Sequence, residues 1–172
     1  TSVEFWDLTG NDDEPFQHAG SGTYLRGCVS RDAIVVADNS VFWIGDDRII
    51  YRGKSVPERV SNHGIEAALK SCTSLSSATA FEARVEGHAF LVVNVPGVTT
   101  FALDLAAPQA SDGWAEWSSY GRTTFRGRCS VMSSGDVLVG DEVAGNVYTL
   151  ASGVYSDNGD PVTFLASAFI KG

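Results

Sequence analysis

The sequence predicts an all-β fold: a portion of a β-propeller, with about three four-stranded blades and one short helix between blades. Two observations carry that expectation. Short runs rich in Val, Ile, Phe, Tyr and Thr follow one another almost to the end of the chain, and such residues suit pleated, half-buried positions. The runs also fall into groups of four, and a four-strand unit recurring every 40–50 residues or so is the mark of a propeller blade.

Taken in order, the opening run 2–8 (SVEFWDL) stands apart and reads as the outer strand of a preceding blade. The first blade is expected over 23–53: a strand-like stretch near 23–30, then AIVVAD (33–38), SVFWIG (40–45) and RIIYRG (48–53). A second covers 79–120 with TAFEARV (79–85), HAFLVVNV (88–95), VTTFALDL (98–105) and WAEWSSY (114–120). A third covers 124–170 with FRGRCSVM (125–132), DVLVGDE (136–142), NVYTLAS (146–152) and VTFLASAFI (162–170). Turn chemistry separates the runs, at Asp38-Asn39, Asp46-Asp47, Pro96-Gly97, Ser134-Gly135 and Gly145-Asn146. Aligning Ala33, Ala89 and Val137 gives spacings of 56 and 48 residues. The longer first spacing is assigned to a helix over 63–72, where Ile65, Ala68, Leu69 and Cys72 form a one-sided stripe. Ser61 or Asn62 can cap its start, with Glu66 in the first turn and Lys70 near the end. Within the second blade, Gly87–Leu105 reads as the two middle strands around a Pro96-Gly97 turn. Their nearly unbroken apolar runs suit strands buried on both faces.

Composition limits the function classes. A chain of 172 residues with 44% hydrophobic and 19% charged residues has enough apolar material for a core and too little charge for a disordered class. Its longest apolar stretches, about five residues, are far short of a membrane span. The first residues, Thr1-Ser2-Val3-Glu4, include neither an initiator Met nor a signal-like segment, so the expectation is a fragment of a longer protein. A formal charge of −9 with scattered basic residues disfavours a grip on nucleic-acid phosphates. Cys28, Cys72 and Cys129 are too far apart for a zinc pattern and odd in number, so they read as small core hydrophobes in a reducing compartment.

Few residues suggest chemistry. His18, His63 and His88 lack metal-ligand spacing; His63 at a helix start and His88 at a strand start read as satisfied polar residues, and His18, in a polar glycine-bearing loop, carries no signal. The 157–160 loop, Asp157-Asn158-Gly159-Asp160, could offer calcium some oxygens, but it lacks the full ligand alternation and reads more simply as a hairpin tip. Trp114 and Trp117, around Glu116, are the candidate contact residues. Three apart on a strand they point to opposite faces, one expected between blades and one exposed at a protein contact. A carbohydrate-binding or sialidase-like propeller is the alternative reading. It needs an arginine cluster, for which Arg26, Arg31, Arg122, Arg126 and Arg128 are the candidates, and a repeated turn motif that residues 140–150 match only vaguely.

The same residues resemble a known family, the packaged-DNA stabilisation protein, or tail accessory hub, of P22-like short-tailed phages. SVEFWDLTG (2–10), GTYLRGCVSRDAIVVADN (22–39) and SVFWIGDD (40–47) are similar to successive family strands. IEAALKS (65–71) resembles the family's interblade helix, EGHAFLVVNVPG (86–97) its next strand, and YGRTTFRG (120–127) a segment ending Tyr-Arg-Gly, with Phe125 in place of Tyr. The resemblance implies a non-enzymatic structural protein of a phage or prophage tail, without cofactor or metal. It implies self-association of the full-length protein in a ring below the portal and adaptor, where it extends the tail tube, helps retain packaged DNA, and anchors tail needle and tailspikes. Its place is then the virion tail, and the host cytoplasm during assembly, with partners among other tail proteins and neither a sequence-specific nucleic acid nor a membrane.

Overall fold

A computed structural model describes residues 2–161 apart from 55, 111, 152 and 155. The expected strand over 162–170 lies outside the described residues. Strands β1 (Val3–Leu8) and β2 (Phe16–Tyr24) form an opening hairpin. A 3-10 turn over Arg31–Ala33, capped by the Ser30 hydroxyl, leads into β3 (Ile34–Ala37), β4 (Ser40–Ile44), β5 (Ile50–Arg52) and β6 (Glu58–Arg59). Helix α1 (His63–Ser71) follows. Next come β7 (Thr79–Val85), β8 (His88–Val95), β9 (Thr99–Asp104) and β10 (Trp114–Trp117). The chain continues through β11 (Gly127–Ser133), β12 (Asp136–Asp141) and β13 (Val147–Leu150) to a small hairpin of β14 (Ser156–Asp157) and β15 (Asp160–Pro161).

The sheets are antiparallel and follow chain order: β3-β4-β5-β6, then β7-β8-β9-β10, then β11-β12-β13. The leading strands of the three sheets lie side by side, β3 against β7 and β7 against β11. Each sheet therefore starts at a common inner line and runs outward by hairpins, which is blade architecture. Two strands differ from the sequence expectation. The first sheet is completed on its outer side by β6, and residues 23–30 do not supply an inner strand. Their first part closes the opening hairpin, and Cys28 makes only an isolated bridge to Gly45. The opening strand likewise has β2 as its partner, in a segment whose glycines and polar residues gave no strand pattern. With inner strands aligned, Ile34, Thr79 and Gly127 are 45 and 48 residues apart, so the helix does not lengthen the first repeat.

The middle sheet is covered on both faces. Leu91, Val93, Val95, Phe101 and Leu103 join the cluster of Phe42, Ile44, Ile50, Ile65 and Leu69 on the first-blade side. The alternate residues Phe81, Ala83, Val92 and Ala102 form a second cluster toward the third sheet, with Phe90, Trp117, Phe125 and Leu150 at its margin. Side chains alternate across a strand, so a strand with both faces covered must be apolar at successive positions. The β8–β9 turn follows the same logic of local chemistry: Pro96 and Gly97 hold its centre, Gly97 has φ +71°, and the Val98 amide donates to the Val95 carbonyl at 3.1 Å.

Helix α1 starts where the Asn62 side chain accepts from the Ile65 amide at 3.0 Å. Its end is capped from the first blade, because the Arg48 guanidinium of the β4–β5 turn donates to the carbonyls of Leu69, Lys70 and Cys72 at 2.9, 2.9 and 2.6 Å. Those carbonyls have no partner within the helix, and the cation suits the negative end of its dipole. Of the cysteines, Cys72 is buried and Cys28 half-buried, whereas Cys129 is exposed on the inner strand β11 and is not a core residue. Truncation of a residue buried in the middle sheet should be costly: Leu91→Ala is expected to lower unfolding free energy by about 2–5 kcal/mol in a urea titration.

Candidate functional site

In a protein built of stacked sheets, the sites that matter first are the junctions between them. At the junction of the second and third sheets, Asn94 on β8 is buried together with Thr79 and Thr100. Its amide nitrogen donates to the Gly127 carbonyl at 2.8 Å, and its side-chain oxygen accepts from the Thr100 hydroxyl. The same Thr100 oxygen accepts from the Phe125 amide at 2.9 Å, so two side chains of the middle sheet hold the backbone that enters the third. Gly127 is required there by space, since a Cβ would overlap the Phe125 ring and Val139 Cγ1. Closer to the inner line, Ser130 donates to the Glu82 carbonyl, and Arg128 reaches Asp32 before the first sheet at 3.2 Å.

Between the first and second sheets in chain order, α1 carries Glu66 into the interior. Arg59 clasps it with two hydrogen bonds of 2.6 Å, and the Ser61 hydroxyl donates to it at 2.9 Å. A carboxyl group taken out of water needs such a full set of hydrogen-bond partners to offset its desolvation. Trp114 closes the same junction, its indole donating to the Val60 carbonyl at 3.0 Å while its ring meets the edge of Phe101. Trp117 points to the opposite face and packs between Phe90 and Phe125. Both indoles are half-buried in blade packing, one in each junction, and being on opposite faces they share no stacking platform.

The five candidate arginines do not converge on a common point. Arg26 pairs with Asp47 at 2.9 Å, Arg31 with Asp32 at 3.4 Å, and Arg122 with Glu142 at 3.1 Å. Arg128 holds Asp32, and Arg126 is nearly buried between Asp141 and Asp157 at 3.6 and 2.9 Å, with its guanidinium over the Tyr148 ring. Asp157, half of the candidate calcium loop, thus has a cation already, and its other oxygen accepts from the Tyr120 amide at 3.1 Å. Asn158 and Gly159 both have positive φ at the tip of the β14–β15 hairpin, as a tight two-residue turn demands. Among the described residues no group of three or more His, Cys, Asp or Glu side chains is placed to hold a metal. His88 pairs with Asp104 at 3.0 Å, and His18 sits edge-on to Trp6. The region 140–150 covers the end of β12, the turn to β13 and β13 itself; in the turn Asp141 accepts from the Val143 and Ala144 amides at 2.7 and 2.9 Å. Near the first blade, burial first, and then the hydrogen bond to Asp47, push the Tyr51 phenol well above its usual range.

A family model described as bacteriophage P22 Gp10, beta-propeller, matches residues 1–155. The chain belongs to that family. It is a phage DNA-stabilisation protein of the P22 Gp10 type, a structural component of the virion tail. A comparison with curated proteins returned no match. Family membership gives the line of β3, β7 and β11 its meaning as the inner wall of a propeller. A groove of about 270 Å3 runs along that line, bordered by Val36, Ala80, Glu82, Cys129 and Met132.

The sequence points to none of Asn94, Thr100 or Arg48, and to Glu66 only as a first-turn charge of the helix, not as a buried one. Two expected outcomes follow. Thr100→Val removes the donor to Asn94 and the acceptor for Phe125, and should cost about 1–3 kcal/mol in chemical denaturation. The turn amides of Ala144 and Val143, and more weakly Arg126, hold the Asp141 carboxyl below its ordinary value of 3.8. A depressed folded pKa adds stability above the unfolded value, and that stability disappears as pH falls through the folded one. The stability gap between wild type and Asp141→Asn should therefore shrink on going from about pH 5 to about pH 2.

Proposed function

We propose that the chain serves, without catalysis, as part of a hub that extends the tail tube below the portal and adaptor. There it helps retain packaged DNA and anchors the tail needle and tailspikes, the full-length protein acting as a ring. The family match over residues 1–155 is the observation that carries this reading. The sheet junctions support it: buried polar groups and both candidate tryptophans hold blades together, and all five candidate arginines are taken up by carboxylates.

Charge supports the manner of retention. Nine of the 12 cationic residues, Arg26, Arg31, Arg52, Lys54, Arg59, Arg84, Arg122, Arg126 and Arg128, are paired with carboxylates. A tenth, Arg48, caps the helix. Few cations are left for phosphates, so a net charge of −9 fits retention by occluding a channel better than by gripping the nucleic acid. Particles assembled without the protein should package DNA and then lose it, seen as nuclease-sensitive genomes after packaging. Full genome retention and unchanged infectivity in such particles would contradict the reading.

A further inference from the structure

The opening hairpin carries a surface that the blade junctions do not use. In the β1–β2 register Trp6 lies opposite His18 and Leu8 opposite Phe16. Directly opposed residues share one face of a sheet, so these four side chains form one patch. The other side of the hairpin faces the first blade, where Tyr24 meets the edges of Trp43 and Tyr51. The patch itself is open: Trp6 is 55% exposed, Leu8 79% and Phe16 61%. Large apolar groups gathered on one exposed face mark an interaction surface.

Charge says what kind of partner fits. Residues 1–25 contain Glu4, Asp7, Asp12, Asp13 and Glu14 and not one Lys or Arg. None of these five carboxylates has an ion-pair partner among the described residues, whereas the chain's other carboxylates hold nine of its cations. More than half of the net charge of −9 is therefore carried, uncompensated, beside the aromatic patch. We infer that the Trp6–Leu8–Phe16 face docks a partner protein whose contact surface is apolar at its centre and ringed by Lys and Arg. A nucleic acid has the wrong sign. A second copy docked through the same face would set like charges against each other, which is unfavourable at an interface. The inference deepens the tail reading, in that the partner is then another protein of the tail.

The test uses the whole chain and a labelled synthetic peptide alternating Lys with Leu, with a peptide alternating Lys with Ser as control, followed by fluorescence anisotropy. The Lys–Leu peptide should bind, and Trp6→Ala combined with Leu8→Ala should weaken it about tenfold or more, as loss of a buried aromatic anchor does. Asp12→Asn, Asp13→Asn and Glu14→Gln together should weaken it and flatten its salt dependence. All these positions are exposed, so thermal melting should be unchanged in both variants. Failure of the wild type to bind, equal binding of both peptides, or indifference to the Trp6 and Leu8 changes would each overturn the inference. So would a dimer in light scattering that Trp6→Ala abolishes, which assigns the face to a second copy. Tighter binding by a chain ending at Pro161 would assign it to residues 162–172. If the peptide results hold but particles lacking the protein keep their DNA, the surface stands and the tail reading fails; the reverse result separates them the other way.

Discussion

The carboxamide of Asn94 is the joint on which the stack depends. Buried inside the middle sheet, it cannot be left unpaired without a penalty of the order of a whole hydrogen bond or more. Its partners lie on two different blades, Thr100 beside it and the Gly127 carbonyl across the junction. Satisfying one side chain therefore fixes where the third sheet begins. Hydrophobic contact alone would let one sheet slide over another, because burial of apolar surface is not directional. The polar joint supplies the direction, and the absence of a side chain at Gly127 supplies the close approach.

The other junction reaches the same end with charge. Helix α1 is short, and isolated helices of this length are marginal in water. It persists because its stripe of Ile65 and Leu69 enters the shared cluster, Arg48 from the β4–β5 turn holds its last carbonyls, and Glu66 ties it to Arg59 and Ser61. Each of these contacts joins elements from the first blade to the connection leading into the second. Trp114 then returns from the far side of the second blade to the Val60 carbonyl, closing the unit.

The legible parts of the fold were those whose physics is local. Runs rich in β-branched and aromatic residues, with turns such as Asp38-Asn39, Pro96-Gly97 and Ser134-Gly135, placed the strands from β3 to β5 and from β7 to β13 within a few residues, and the stripe at Ile65, Leu69 and Cys72 placed the helix. What escaped was set by tertiary contact. Strand β6 is two residues long and polar, so no periodicity announces it, and without it the first repeat was aligned one strand out of step. Strand β2 is glycine-rich and polar, so its pairing with β1 left no period-two or apolar signal. Glu66 was legible as a favourable first-turn charge but not as a buried one, because its burial depends on Arg59 arriving from β6. Asn94 sits in an apolar run as a single polar residue, which was the available signal for the joint. For function, the order and spacing of segments such as Ser2–Gly10, Gly22–Asn39 and Tyr120–Gly127 carry the family signal, while the engagement of the arginines by carboxylates depends on tertiary contacts that no local pattern records.

With both faces covered, the middle sheet is the most strongly held part of the protein, and the opening hairpin, paired only within itself, is held less. Native-state hydrogen exchange measures that hierarchy directly, since each amide reports the free energy of the opening that exposes it. The amides of β8 and β9 should exchange only through global unfolding, at one shared free energy, with those of β1 and β2 exchanging through local opening well below it. Amides of β8 and β9 exchanging as readily as those of the hairpin, or at free energies that differ strand by strand, would contradict a sheet clamped on both faces.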